Sequence, residues 1–468
     1  MSAIEISTTP SRWVDDVLNR DKSAEFLTKY LNEKYSDEQD VVYKDSFVLN
    51  INSGWGVGKT FFLLQWKKDL EDLKHPVVYF DAWKNDFTNN PLIGFISEFN
   101  EELNKYKQKH DGLASATQDL VESAKKLTSL VSKVAVNIAV KTLGIPDEIL
   151  DGNILSDSIE KQSHSKDLID QHIAIKKEIS HFKQELKEFI EKLRSENKAQ
   201  APLYIFVDEL DRCRPNYAIE LLENIKHFFG VKGVYFVVAT NTQELNHSVK
   251  AIYGAGFDSN MYLKRFFDQE YTLPKPNYFQ FAKHIMKNNR IFNNDKIFIP
   301  SLNVTENIEI TFSVLSQAFG LTLRDQEQVA SRVKSVLLVS NLNKVHFLFL
   351  VFLTILNLKN KDHIESIALG NKLTTSPLYE GNLTFVKVHE YNGKGYYEVA
   401  ISISVVIGLY LNIMWSRKAD IYQSVSDSSE VNKAIMAEVI KELRNSSDNQ
   451  MSSLSRYPEL VMQAGYLS

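Results

Sequence analysis

A chain of 468 residues, 44% hydrophobic and 24% charged, has ample material for a core and exceeds one small domain. Its 54 Lys and Arg against 59 Asp and Glu leave a net charge of −5, which argues against a generic polyanion binder. One cysteine, Cys213, excludes an intramolecular disulfide, so no secreted, cross-linked scaffold is indicated.

Residues 1–20 contain Asp15 and Asp16 and no apolar run, so no signal peptide is visible and a cytoplasmic location is the default expectation. Val14, Val17, Leu18, Phe26, Leu27 and Leu31 give Trp13–Tyr35 a helical period. Ser46–Asn52 (SFVLNIN) reads as a buried strand running into a glycine cluster. Thr60–Leu73 reads as an amphipathic helix, Pro76–Asp81 (PVVYFD) as a second strand, and Pro91 opens another helix. From about 105 to 200 the chain turns polar and helical. Ile175, Ile179, Phe182, Leu186, Phe189 and Leu193 form a heptad seam there, expected as a helical hairpin packing on itself, with a partner-binding coiled coil as the alternative. Leu127, Leu130, Val131, Val134 and Ile138 make a second stripe, broken by Lys133 and Lys141, expected in the same hairpin rather than on a membrane surface.

After Pro202, strands return at Leu203–Val207, Val234–Ala239 and Gln269–Leu273, with helices at Ala218–Phe229 and near Glu244–Ala251. Strands separated by helices imply a parallel sheet. Beyond Pro274 the pattern is helical to about residue 375, followed by a hairpin over Tyr379–Tyr397, final helices, and a Ser-rich stretch at Ser446–Ser455 that reads as flexible. Tyr396–Trp415 is about long enough to span a bilayer. Glu398 and Asn412 shorten its clean apolar run, and the alternation over Ala400–Val406 favours a core strand. Val345–Leu358 is too short to span, so no integral membrane segment is expected.

The strongest chemical signal is Ser53-Gly54-Trp55-Gly56-Val57-Gly58-Lys59-Thr60, between a strand and a helix, the setting of a P-loop. Glycines at 54, 56 and 58 let successive N–H groups turn inward on phosphate oxygens, aided by the helix N-terminus. In this pattern Lys59 spans the β- and γ-phosphates and the Thr60 hydroxyl ligates Mg2+. The strict pattern has glycine where this chain has Ser53. A second signal follows strand Leu203–Val207, which runs directly into Asp208-Glu209-Leu210-Asp211. Asp208 at a strand end suits a Mg2+ ligand, and Glu209 suits a base for an attacking water. Asn241, with Thr240 beside it, ends the next strand, where a polar tip can sense a γ-phosphate or simply form a turn.

Together these residues resemble the KAP P-loop NTPases over about residues 12–360. The similarity includes Asp15-Asp16-Val17-Leu18-Asn19-Arg20, the tryptophan of Gly54-Trp55-Gly56, and Phe80-Asp81-Ala82-Trp83 followed by Pro91-Leu92. It is most specific at Asp208-Glu209-Leu210-Asp211-Arg212-Cys213-Arg214-Pro215, and extends to Tyr262-Leu263-Lys264-Arg265 with Leu273-Pro274. The resemblance implies an α/β, ASCE-class parallel sheet flanked by helices, with one strand between the Walker A and Walker B strands, and ATP as nucleotide. It also implies an insertion between the two motifs, often with paired transmembrane helices; here the stripe is too broken to span. Cys213 takes a structural reading. Arg265 is placed to act as an arginine finger from a neighbouring subunit, and Arg324 as a lid-helix arginine contacting nucleotide in cis; for both, a structural salt bridge is the alternative.

The expected organisation is a first NTPase segment at 1–104, a helical insertion at 105–200, a second NTPase segment at 201–275, a helical lid at 276–375 and an extension at 376–468. The expected activity is Mg2+-dependent ATP hydrolysis coupled to a conformational or assembly change, with a homo-oligomer or a separate effector as partner. Because relatives of this kind recur in phage-defence loci, antiviral defence is the expected setting. A nucleotide-gated scaffold recruiting a partner through Ile175–Leu193 is one alternative; a nucleic-acid-stimulated remodelling ATPase is another, unsupported by any aromatic-basic stacking motif. The eleven histidines show no paired ligand spacing, and one cysteine cannot build a zinc site.

Overall fold

Four short apolar runs and one polar edge segment make one parallel sheet. Phe47–Asn52 (β1), Val77–Asp81 (β2), Leu203–Asp208 (β3), Val234–Thr240 (β4) and Gln269–Thr272 (β5) pair in the order β2-β3-β4-β1-β5. The computed structural model describes residues 13, 16–37, 46–88, 90–109, 113–143, 164–195, 200–291, 296–299, 307–340, 342, 344–370, 384–391, 396–416 and 453–466. Contacts divide the chain into two compact units, residues 1–274 and 275–468.

In unit 1 the interior strands β3 and β4 are buried at every position, the signature of a sheet covered on both faces. Edge strand β5 is mostly exposed. Alternate residues feed two cores. On one face, Leu49, Ile51, Tyr204, Phe206, Tyr235 and Val237 meet helices α1 (Arg20–Asp37) and α2 (Lys59–Asp72) through Leu27, Leu31, Phe62 and Trp66. On the other, Val48, Phe80, Ile205, Phe236 and Val238 meet the remaining long helices. These are α4 (Pro91–Lys109), α5 (Ala114–Leu143), α6 (His164–Ser195), α7 (Pro215–Phe228) and α8 (Thr242–Tyr253). Two short helices, α3 (Ala82–Asn85) and α9 (Ser259–Leu263), complete the unit.

The heptad seam is absorbed by this second core. Phe182, Leu186, Phe189 and Leu193 are fully buried beside Leu120, Ala124 and Leu127 of α5, and Ser123 bonds His181 across the two helices. That burial removes most of the surface through which a coiled-coil partner would dock. The side chains of 132–143, which carry Val134 and Ile138, and residues 144–163 lie outside the described set.

Two expectations are corrected. The opening helix starts at Arg20, not Trp13, because the Asp16 carboxylate accepts from the amides of Leu18 (3.1 Å) and Asp21 (2.9 Å) and Asn19 turns left-handed at φ 54°. The alternation expected over Ala400–Val406 as a strand ends at Ser402. Tyr396–Ser402 (β9) pairs antiparallel with Thr384–Tyr391 (β8), and Ile403–Met414 is helix α15. Val406, Tyr410 and Ile413 return to the interior at helical spacing and override the local alternation.

Most other described elements of unit 2 are helices: α10 (Tyr278–Asn288), α11 (Asn307–Ala318), α12 (Leu323–Val339), α13 (Phe347–Lys359), α14 (Lys361–Ala368) and Tyr457–Gly465. A short parallel pair, Ile297–Ile299 (β6) with Lys344–His346 (β7), accompanies them. Helix α13 is buried from Phe347 to Asn357, which explains its unbroken apolar run as core. Among the described residues no helix is long and apolar enough to cross a membrane. Of the Ser-rich stretch, residues 446–452 lie outside the described set, and Ser453–Arg456 forms a 3-10 turn.

Candidate functional site

The loop between β1 and α2 demands left-handed backbone at two positions, Gly56 (φ 71°) and Gly58 (φ 89°), where a side chain would be strained. Ser53 is not among the residues with positive φ, so glycine is not needed there. The amide of Ser53 continues the sheet by donating to Thr240 O at 3.0 Å. Inside the loop, Lys59 Nζ donates to Ser53 O at 2.6 Å and to Gly54 O at 3.1 Å, drawing its two ends together. Burial lowers the Lys59 pKa, opposed by Asp211, Asp208 and Glu209. The first amides of α2 have no partner within their own helix and face the loop.

One strand away, β3 delivers the acids. Asp208 is 1% exposed; Oδ2 accepts from Tyr79 OH at 3.0 Å and Oδ1 from the Glu209 amide at 2.9 Å. Burial raises its pKa, countered by its bonds to Thr60 and Tyr79. Glu209 is held left-handed (φ 59°), a strain of about 1 kcal/mol for a residue with a side chain. Its Oε1 accepts from Thr60 Oγ1 at 3.2 Å, and its Oε2 is ion-paired with Arg212 Nε. Burial, then the charge of Asp208, raises the Glu209 pKa. Arg212 in turn lies over the exposed ring of Trp83, 5.6 Å from its centroid. The result is a hydroxyl, buried carboxylates and an ammonium converging where the glycine loop opens. The buried Asp211 Oδ1 has no hydrogen-bond partner; among the described residues no group of three or more His, Cys, Asp or Glu gathers as a metal site, so the Thr60 hydroxyl and the Asp208 carboxylate are the oxygens that could hold a hard cation here.

Other expected residues fall in different places. Asn241 caps α8, its Oδ1 accepting from the Gln243 amide at 3.2 Å, with its position beside the loop set by Thr240. Thr240 is fully buried and donates to Asn50 Oδ1 at 2.7 Å, so its hydroxyl belongs to the sheet. Arg265 is exposed near the N-terminal ends of the parallel strands, the end of the sheet opposite the phosphate loop. Its carbonyl accepts from Lys226 near the end of α7, and Asp268, three residues on, bonds Val48 near the start of β1. It therefore cannot serve the phosphate loop of its own unit. Arg324, exposed in the first turn of α12, belongs to unit 2. Cys213 is buried with its Sγ 3.6 Å from Glu209 O, and burial pushes the thiol pKa far up, which makes it an inert structural residue.

Three features escaped the sequence reading. Trp55 Nε1 donates to Asp211 Oδ2 at 2.5 Å, fastening the loop tip to the acidic turn. Asn50 and Asn52 both donate to Glu270 of β5, at 3.1 and 3.0 Å, beneath the loop. Arg20 is 1% exposed and bonds the Val57 carbonyl. A signal for Arg20 existed, because it lies at helical spacing with the buried Ala24, Leu27 and Leu31.

A glycine loop between β1 and α2, facing the acidic end of β3 with β4 between them, defines a nucleotide-binding P-loop NTPase fold. The chain belongs to the KAP family, whose P-loop domain matches residues 20–335. No curated protein sequence matches significantly. Solved structures that overlap the fold include the ORC2 protein of Aeropyrum pernix in its ADPNP–ADP complexes, at 12% identity and a TM-score of 0.34, covering 75% of this chain and 73% of that one. CDC6P from Pyrobaculum aerophilum overlaps at 12% identity and TM-score 0.32, over 70% and 64% of the two chains. PCH-2 of C. elegans overlaps at 11% and 0.32, over 76% and 72%.

Proposed function

We propose that the chain binds ATP with Mg2+ and hydrolyses it, coupling turnover to a conformational or assembly change. The observation that carries this reading is the meeting of Thr60 and Glu209, 149 residues apart in sequence and 3.2 Å apart in space. The amides of Gly56–Thr60 receive the phosphates, and Lys59 shares its ammonium between the loop carbonyls and the β- and γ-oxygens. Thr60 and Asp208 would hold Mg2+, which when bound would neutralise charge at those oxygens. Glu209 accepts the proton of the attacking water. Arg265, barred from its own site by position, acts on the site of a second copy as an arginine finger. Asn241 and Arg324 contact the nucleotide. A cation in the first turn of α12 opposes the helix dipole, which favours a functional reason for Arg324.

Antiviral defence with a separate effector protein is the biological setting that the family resemblance supports. The test is steady-state ATP turnover and nucleotide binding by wild type, Lys59→Ala and Glu209→Gln. Lys59→Ala should lose binding, and Glu209→Gln should keep binding while turnover falls at least ~100-fold. Undiminished turnover in Glu209→Gln would refute its role as base; ATP binding without turnover in the wild type would favour a nucleotide-gated scaffold.

A further inference from the structure

The phosphate loop is fastened at two points to the residues on which unit 1 ends. Arg20 Nη1 donates to Pro274 O at 2.8 Å while Nη2 donates to Val57 O at 3.2 Å. A fully buried guanidinium whose hydrogen bonds run to two carbonyls is expensive to desolvate, even with the charge of Asp16 acting on it, and its Nε has no hydrogen-bond partner. So costly an arrangement has to hold something in place. At the start of the loop, the Ser53 hydroxyl donates to Asn52 O at 2.6 Å, which turns its lone pairs outward, and it accepts from the Leu273 amide at 3.3 Å. Glycine in the strict P-loop pattern would lack this hydroxyl, and the backbone at Ser53 does not require glycine. The Ser53 carbonyl, meanwhile, receives the ammonium of Lys59. Lys59, Ser53 and Leu273 form one hydrogen-bonded line. Val57, Arg20 and Pro274 form a second. Both lines end at the last two residues before unit 2, where Pro274 and Pro276 stiffen the backbone on either side of Lys275.

We propose that Ser53 and Arg20 are positioning residues that fasten the phosphate loop to Leu273–Pro274, so that nucleotide binding is transmitted to the chain entering unit 2. This rests on the nucleotide-binding reading above. An ammonium drawn toward phosphate loosens its bond to Ser53 O, and the loop's adjustment is handed through the serine hydroxyl and the guanidinium to the junction. The serine is thereby the feature that distinguishes this loop from a glycine-initiated one.

Hydrogen exchange on the full chain, with and without a non-hydrolysable ATP analogue and Mg2+, tests it. In wild type the analogue should alter exchange both at the Leu273 amide and in α10, the first helix of unit 2. Ser53→Ala and Ser53→Gly should bind the analogue within about threefold of wild type, since the hydroxyl is engaged by Asn52 O and the Leu273 amide. In both variants the Leu273 amide should exchange roughly fivefold faster, as expected for one lost hydrogen bond, and the α10 response should vanish. Arg20→Met should show the same loss at α10; if it fails to fold, the two serine variants suffice. Variants that bind the analogue and keep the full α10 response overturn the inference, as does a wild type that binds with no change at either place. A wild type that binds no analogue refutes the nucleotide-binding reading instead, and this inference with it.

Discussion

Replacing Trp55 by Phe deletes one donor and little else. The ring is 48% exposed, so the change in buried apolar area is small, whereas its Nε1–H reaches Asp211 Oδ2 at 2.5 Å. Asp211 is 8% exposed and its other oxygen has no partner, so the substitution leaves a buried carboxylate without a side-chain donor. A hydrogen bond to a charged acceptor contributes about 1.5–3 kcal/mol, and the loss should fall near 2 kcal/mol. Spread over the unfolding entropy of unit 1, that is a drop in Tm of about 3 °C. Calorimetry and urea titration of Trp55→Phe, Asp211→Asn and the double variant measure the pairwise coupling, expected at about 1–2 kcal/mol. An unchanged Tm, or strictly additive effects, would refute the idea that the indole holds the loop tip to the acidic turn.

Two further outcomes follow from other groups in unit 1. Burial pushes the pKa of His75 down to about 4, with Nδ1 against Pro202 O at 3.2 Å and Nε2 against Asn32 Nδ2 at 3.4 Å, so the ring is neutral in the fold. The unfolded chain binds the proton nearer pH 6.5; stability is therefore complete above that value and lost as pH falls from 6.5 toward 4. Between pH 7.5 and 5 the loss should be about 2 kcal/mol in urea titrations and largely absent in His75→Gln. For Arg212, which pins the Glu209 carboxylate from its seat on Trp83, Arg212→Ala should lower kcat roughly ten- to a hundredfold with nucleotide affinity unchanged. Arg212→Lys should recover part of that loss, and an equal fall in affinity would assign Arg212 a merely structural role.

The parallel sheet was legible because four of its strands are short apolar runs bounded by glycine, proline and acidic residues, and because Gly56, Gly58, Asp208 and Glu209 stand where strands end. Long-range polar pairing was not. Nothing local in the sequence joins Trp55 to Asp211 or Asn50 to Glu270, since each pair is brought together only by strand order. Local patterns also misled at both ends of elements. Asp16 stops a helix whose apolar period runs on past it, and Ile403 turns a strand into a helix where the alternation runs on past Ser402. The place of Arg265 illustrates a different limit, because a sequence position before β5 says nothing about which end of β1 it reaches until the pairing with β1 is known.

The strand order also sets a timetable. β1 pairs with β4 and β5, and the Thr240–Asn50 bond beneath the phosphate loop joins residues 190 apart. At typical rates of synthesis, roughly 10–40 s separate the emergence of those two residues from the ribosome. Throughout that interval β1 has neither of its neighbours, and no nascent fragment ending before β4 can present a finished nucleotide cradle. The segment emerging in the meantime, α4 to α6, supplies amphipathic helices whose apolar faces join β2 in the second core. The segment between the two motifs thus gives the growing chain something to fold around before its oldest strand finds a partner.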